Sequence, residues 1–233
     1  LKGQQTMNAN EIISAIEGGK YNGIFTELYG TENVKVQEVR YINTVKEFAK
    51  LFGEDREISL FSVAGRSEIS GNHTDHNRGK VIAASIDLDI IAVAAKNNDG
   101  VVRIHSEGYP EDVVALADCD DPAKFADFSS ASLIAGTVGG FRARGENPGS
   151  FVAYTANRVL KGSGLSSSAA FEVMIGNILN HLYNGGRVSN VEIAKMAQYA
   201  ENVYFGKPCG LMDQTACAVG GFITIDFADP ADP

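Results

Sequence analysis

Three polar clusters carry side chains able to do chemistry. The first is the run Leu160-Lys161-Gly162-Ser163-Gly164-Leu165-Ser166-Ser167-Ser168-Ala169-Ala170. A glycine-rich turn opening a helix leaves backbone N–H groups unpaired and aimed at one point. With the positive end of the helix dipole, that geometry holds phosphate. The hydroxyls of Ser166, Ser167 and Ser168 add groups that bond phosphate oxygens or ligate Mg²⁺. The same residues also suit a plain strand-to-helix turn closed by a serine cap. No Gly-Lys-Ser/Thr follows the spacer, so a phosphate here would be cradled by a loop other than the Walker type.

The second cluster runs from Arg66 to Asn77 and holds Arg66, Glu68, Asn72, His73, Asp75 and His76 between two strand-like stretches. Short polar side chains next to Gly71 suit the several hydroxyls of a sugar, each needing a fixed donor or acceptor. An ordinary charged loop has the same composition. His73-Thr74-Asp75-His76 also has the spacing of a dinuclear metal site, although such sites take a further histidine where Gly71 stands. The third cluster is Glu201 with Asp213. Glu201 is expected near a helix end, where a solvated carboxylate is the commoner fate. Asp213 is expected at a helix start, where the dipole favours a carboxylate and a plain cap is the alternative. A phosphate loop, a carboxylate able to join a serine hydroxyl on Mg²⁺ and a second carboxylate near a polar loop are the parts that phosphoryl transfer needs.

These clusters must be positioned by a core. The chain has 233 residues, 44% of them hydrophobic, enough for one large domain or one domain with a small appendage. Its net charge of -9 argues against nucleic acid or an anionic membrane as partner. An anionic ligand would be held by helix ends, a few cations and metal. Cys119, Cys209 and Cys217 lack Cys-x-x-Cys spacing, which points to free thiols in a reducing cytosol. No stretch approaches the roughly 20 apolar residues of a membrane span, and the start does not read as a secretory signal. The chain begins with Leu1 and stops just after a strand-like run, so a longer natural chain is expected.

Residues 8–52 are expected to be helical. Asn10 is expected to cap a run carrying Ile12, Ile13 and Ile16, and 44–52 places Val45, Phe48 and Leu51 on one face. Strands are expected at 58–63 and 81–95. Asn98-Asp99-Gly100 predicts a hairpin turn from which 101–105 returns. Helical spacing recurs over 123–141, 171–183 and 191–204, and strands are expected at 151–159 and 222–227.

In this order the clusters resemble a known family. Gly65-Arg66 through Gly71-Asn72-His73-Thr74-Asp75-His76-Asn77 resembles the galactokinase motif Pro-Gly-Arg-Val-Asn-Leu-Ile-Gly-Glu-His-Thr-Asp-Tyr-Asn. Gly162 to Ala169 is similar to the ATP-phosphate loop of the GHMP kinase superfamily. Glu201 with Lys207-Pro208-Cys209-Gly210-Leu211-Met212-Asp213-Gln214 resembles its Mg²⁺ and catalytic-aspartate segment. The resemblance covers about residues 56 to 227. It implies an α/β (α+β) fold, the ribosomal protein S5 domain 2-like N-terminal domain of GHMP kinases, at 56–233, with a helical N-terminal extension at 1–55. The superfamily's second domain is expected to be absent from this chain, leaving it poorly active alone.

The resemblance further implies a cytoplasmic sugar kinase that makes galactose 1-phosphate from galactose and ATP with Mg²⁺, and it implies no protein partner. Gly162, Ser163, Gly164, Leu165, Ser166, Ser167 and Ser168 would wrap the phosphates. Ser168 and Glu201 would ligate Mg²⁺. Asp213 would sit beside the anomeric hydroxyl, with Arg66 stabilising its charge. Asn72, His73, Asp75 and Gly210 would hold the sugar. The family Glu is here Asn72, the Tyr is His76, and Val-Asn-Leu-Ile is Ser67-Glu68-Ile69-Ser70. Loss of a carboxylate at Asn72 removes a charge. A kinase for a related sugar such as galacturonate, or a non-catalytic sugar sensor, is therefore the alternative.

Overall fold

Ile90-Ile91-Ala92-Val93-Ala94-Ala95 has no polar face, and all six residues are buried. A strand of that kind needs apolar cover on both sides. In the computed structural model, which describes residues 7–159, 162 and 164–229, both sides are covered by helices. The elements in order are α1 (Ala9–Glu17), α2 (Asn22–Tyr29), α3 (Val34–Phe52), β1 (Ser59–Ser70), β2 (Lys80–Lys96), β3 (Val101–Ser106), β4 (Asp112–Ala115), α4 (Ser130–Ala143), β5 (Phe151–Asn157), α5 (Ser167–Asn184), α6 (Asn190–Tyr199), α7 (Met212–Val219) and β6 (Phe222–Asp226). The sheet order is β1-β2-β5-β3-β4, and β6 also pairs with the start of β2. This mixed sheet between helices is the α/β architecture expected.

Alternation along β2 and β5 assigns the two faces. Ile90, Ala92, Ala94, Phe151 and Ala153 join one core with residues of α4, α5 and α6, such as Phe141, Ile175 and Ile193. Ile91, Val93, Ala95, Val152, Tyr154 and Ala156 join another with Ile12, Phe25, Tyr41 and Phe48 of α1 to α3. The N-terminal helices therefore form the sheet's second cover. Among the described residues no helix is long and apolar enough to cross a membrane.

One polar cluster lies within this second layer. Asp89 is 2% exposed and receives Arg40 Nη1 at 2.5 Å, Tyr29 Oη at 2.5 Å and Ser62 Oγ at 2.6 Å. Arg40 Nη2 donates to the carbonyls of Asp89 and Ala156, both at 3.2 Å, so α3 is tied to β2 and to the end of β5. Burial and the neighbouring Asp89 push the Tyr29 phenol far up, and burial pushes Tyr41 up to about 12.

Several local expectations are corrected. Asn8, not Asn10, caps α1, because Glu11 three residues on completes a reciprocal capping box. The helix expected at 44–52 is the end of α3, which starts ten residues earlier. Residues 123–128 lie outside α4, which is capped by Ser129. The turn at 98–100 exists, but β2 and β3 are not paired there. β5 inserts between them, antiparallel to β2 and parallel to β3. β1 also runs seven residues past the expected end, to Ser70, with register shifts at 64–66 and 68–70.

Candidate active site

β1 passes directly over the glycine-rich loop. A Cβ on Gly65 would lie 2.8 Å from the Leu165 carbonyl oxygen, closer than a side chain allows. That approach lets the Arg66 amide donate to Leu165 O at 3.3 Å and Arg66 Nη1 to Gly164 O at 2.8 Å. Arg66, 7% exposed, turns its remaining donors on Asp213 at the start of α7. Nε and Nη2 both reach Asp213 Oδ1, at 2.8 and 2.7 Å. The other carboxylate oxygen, Oδ2, accepts from Ser166 Oγ at 2.6 Å.

That last bond decides what the loop offers. Ser166 occupies the N-cap position of α5 in left-handed backbone, but its hydroxyl goes to Asp213 and makes no side-chain cap. Among the described residues no N-cap side chain satisfies the first-turn amides of α5, which stand ready for an anion. Gly162 and Gly164 are exposed, with φ of +77° and +75°, a conformation that glycine adopts without strain. Ser167 begins α5. Ser163, with Leu160 and Lys161, lies outside the described residues.

Ser168, one residue into α5, donates to Glu201 Oε1 at 3.2 Å. Glu201 is 2% exposed, so it is not the solvated carboxylate that a helix end commonly carries. It sits in a π-helical turn, Ala200–Tyr204, that continues α6 and rotates this side chain inward. Lys207 Nζ reaches Glu201 Oε1 at 2.9 Å, and the bond holds the lysine pKa up. Gln214, next to Asp213, donates to Glu201 Oε2 at 2.8 Å. Beneath them lies Glu172 of α5, with no exposed surface and one oxygen, Oε1, unpartnered. Burial first, and the Glu201 charge second, push its carboxyl well above the usual range.

The sugar-loop candidates border the same place. Asp75 Oδ2 accepts from the Met212 amide at 3.4 Å, one residue before Asp213. A Cβ on Gly210 would stand 1.6 Å from that oxygen, so glycine is required for Asp75 to lie there. A cleft of about 450 Å³ beside them is lined by Asp75, Gln198, Pro208, Cys209, Gly210 and Leu211. Two larger hollows involve the N-terminal helices and contain none of the candidate residues. Asn72 is exposed, and both it and His73 have left-handed backbone. His73 is held by Glu68, whose Oε1 accepts from its amide at 2.9 Å and whose Oε2 lies 3.3 Å from Nε2. Beside the neutral Asn72, the loop thus places the Glu68 carboxylate on His73. Nothing is described of the His76 side chain. Among the described residues no group of three or more His, Cys, Asp or Glu side chains is placed to hold a metal ion.

Of the other residues here, Glu172 carries no signal in the sequence. Glu68 belongs to the polar run with Arg66, and Lys207 and Gln214 to the segment around Asp213, but their types and spacing give none of the three a role. Strand alternation does set Glu68 on the face of Arg66, two residues away.

Comparison with known proteins follows the same outline. Residues 132–221 match the GHMP kinases N-terminal domain, and residues 46–96 match the galactokinase galactose-binding signature. The chain is 34% identical over 174 residues to a Bacillus subtilis galactokinase, covering 74% of this chain and 44% of that one. It is 34% identical over 187 residues to a Streptomyces coelicolor galactokinase, covering 79% and 48%. Lactococcus lactis galactokinase complexed with galactose superposes with a TM-score of 0.74 at 28% identity, over 82% of this chain and 50% of that one. Methanococcus jannaschii mevalonate kinase, at 17% identity and a TM-score of 0.60, shares the fold. The chain spans about half the length of the curated relatives it matches.

Proposed function

The chain belongs to the galactokinase family of the GHMP kinases, and on that premise we propose that it forms the sugar- and phosphate-binding half of an ATP-dependent galactose 1-kinase. The observation that carries this reading is the junction of Arg66, Asp213 and Ser166, with Ser168, two residues after Ser166, bonded to Glu201. Residues 56–233 hold every group it uses, and the described part of residues 1–55, from Met7 on, supplies cover for the sheet. A reducing, ATP-supplied compartment such as the cytoplasm suits the three free thiols.

Each group has a task set by its surroundings. Asp213 faces the anomeric hydroxyl and accepts its proton, or orients it as the charged partner of Arg66. Arg66, fixed by the Gly164 carbonyl as well as by Asp213, keeps positive charge beside the oxygen that attacks and the phosphoryl group that moves. The open first turn of α5, with Gly162, Gly164, Leu165, Ser166 and Ser167, wraps the phosphates through backbone amides. Asp75 and His73, with Asn72 and the side-chain-free Gly210, hold the sugar hydroxyls.

Ser168 and Glu201 would hold Mg²⁺, which supplies charge neutralisation between the phosphates. The donor set fits, since one buried carboxylate and one hydroxyl leave the remaining positions to phosphate and water, the arrangement this ion favours. Lys207 on the same carboxylate oxygen offers that carboxylate a cation of the protein's own.

A coupled ADP-release assay on the protein carrying this chain, with galactose, glucose and galacturonate, tests the reading. Galactose-dependent ADP release is expected. Galactose binding with no ADP release at saturating ATP and Mg²⁺ would instead make the protein a sugar sensor. A second test concerns the cleft. Gly210→Ala is expected to displace Asp75 and weaken galactose binding about tenfold, the worth of one hydrogen bond to a charged group. Thermal unfolding should change little, because the displaced atom is the end of a half-exposed side chain. Unchanged galactose affinity would remove Asp75 from the sugar site.

A further inference from the structure

We propose that Glu68 positions His73 for sugar binding and adds a negative charge to that of Asp75 in the sugar loop, excluding hexuronates in favour of neutral hexoses. This deepens the galactose-kinase reading and rests on it for the substrate; the positioning rests on this chain's geometry alone.

Pairing between β1 and β2 is unbroken from Arg66, opposite Ser85, to Glu68, opposite Ala83. Residues two apart in an unbroken stretch share a face. Glu68 therefore projects on the side where Arg66 meets Asp213. Its side chain is only 17% exposed, and both of its oxygens face one residue: Oε1 accepts from the His73 amide and Oε2 lies 3.3 Å from the His73 ring.

His73 needs such a hold. Asn72 and His73 have φ of 57° and 50°, two successive non-glycine residues in a region that L-residues populate sparsely. Strain of this kind persists only when the surroundings impose it, and the carboxylate imposes it by capturing the His73 N–H. The contact with the ring has a further effect. An imidazole whose Nε2 is held beside Glu68 leaves Nδ1 as the ring nitrogen available to a sugar hydroxyl.

The same comparison explains the unusual motif. Against the pattern that the chain resembles, Asn stands where this chain has Glu68, and Glu stands where it has Asn72. Amide and carboxylate have exchanged places, and the loop keeps one of each. A hexuronate would bring its own carboxylate to a place already negative through Glu68 and Asp75. A neutral hexose brings hydroxyl donors to both.

The test combines calorimetric titration of galactose and galacturonate with ¹⁵N NMR of the His73 ring in sugar-free protein. It compares wild type, Glu68→Gln, Glu68→Asn and the exchange Glu68→Asn with Asn72→Glu. Glu68→Gln is expected to weaken galactose binding about tenfold, to raise galacturonate binding relative to galactose, and to shift the His73 ring nitrogen signals. The exchange should recover most of the galactose affinity that Glu68→Asn loses. A Glu68→Gln protein with wild-type affinities and wild-type ring signals would overturn the proposal. Wild-type protein that binds no galactose overturns the kinase reading and the specificity drawn from it. A ring that still responds to Glu68→Gln then upholds the positioning role by itself.

Discussion

Asp213→Asn is expected to lower turnover with galactose at least ~100-fold, the usual cost of losing a general base, while leaving the fold intact. The substitution is chosen because the site can hold the amide without rearrangement. Arg66 donates to one carboxylate oxygen and Ser166 to the other. An asparagine oxygen facing Arg66 keeps that contact, and its amide nitrogen finds an acceptor in the Ser166 hydroxyl. What disappears is the negative charge and the ability to take a proton. Asp213→Ala would be a poorer experiment, since it strands a guanidinium that is 8% exposed. Steady-state kinetics should show the loss in kcat with a smaller change in KM, the pattern of an interaction made in the transition state. Near-normal turnover would take Asp213 out of the mechanism and leave it as a structural partner of Arg66.

The largest expected effect on stability lies far from this chemistry. Arg40→Met is expected to cost about 3–5 kcal/mol, because it leaves Asp89 buried without its ionic partner. The pair is closed to water on both sides, with side chains 8% and 3% exposed. Methionine keeps the apolar stem of the arginine, so the loss isolates the charge. It also removes the links from α3 to the carbonyls of Asp89 and Ala156, of which the Asp89 carbonyl keeps the Arg158 amide as a donor at 2.9 Å. For a domain whose net stability is about 5–15 kcal/mol, such a loss is a large share. Urea unfolding measures it. Adding Asp89→Asn should return much of the stability, since a neutral amide still accepts from Tyr29 and Ser62. A loss below about 1 kcal/mol would mean that water reaches Asp89 and the pair behaves as a surface one.

Some of the structure was legible in local pattern. The apolar run of β2 and the helical spacing of α5 and α6 each repeat a period that neighbouring residues set between themselves. The cap of α1 was legible too and was misread, because Glu11 pairs with Asn8 rather than with Asn10. The extent of β1 was hidden for a different reason. Its second half, Arg66 to Ser70, is polar, and it is held in the sheet by β2 on one side only. Nothing in those five residues resembles a buried strand. Without that extension Glu68 is one member of a polar run; with it, strand alternation sets Glu68 beside Arg66.

The amino-acid sequence by itself determined the inventory: a glycine-and-serine loop ahead of a helix, a polar loop with Arg66 and Asp75, and two carboxylates at Glu201 and Asp213, in an order shared with a kinase family. Tertiary structure alone decided which of them touch. The insertion of β5 between β2 and β3, the π-helical turn that buries Glu201, and the placing of Ser166 on Asp213 join residues dozens of positions apart. Local sequence holds no record of such pairings. They arise when two faces of one sheet are covered at once, and the backbone that remains must then bring its polar groups to partners supplied by other elements.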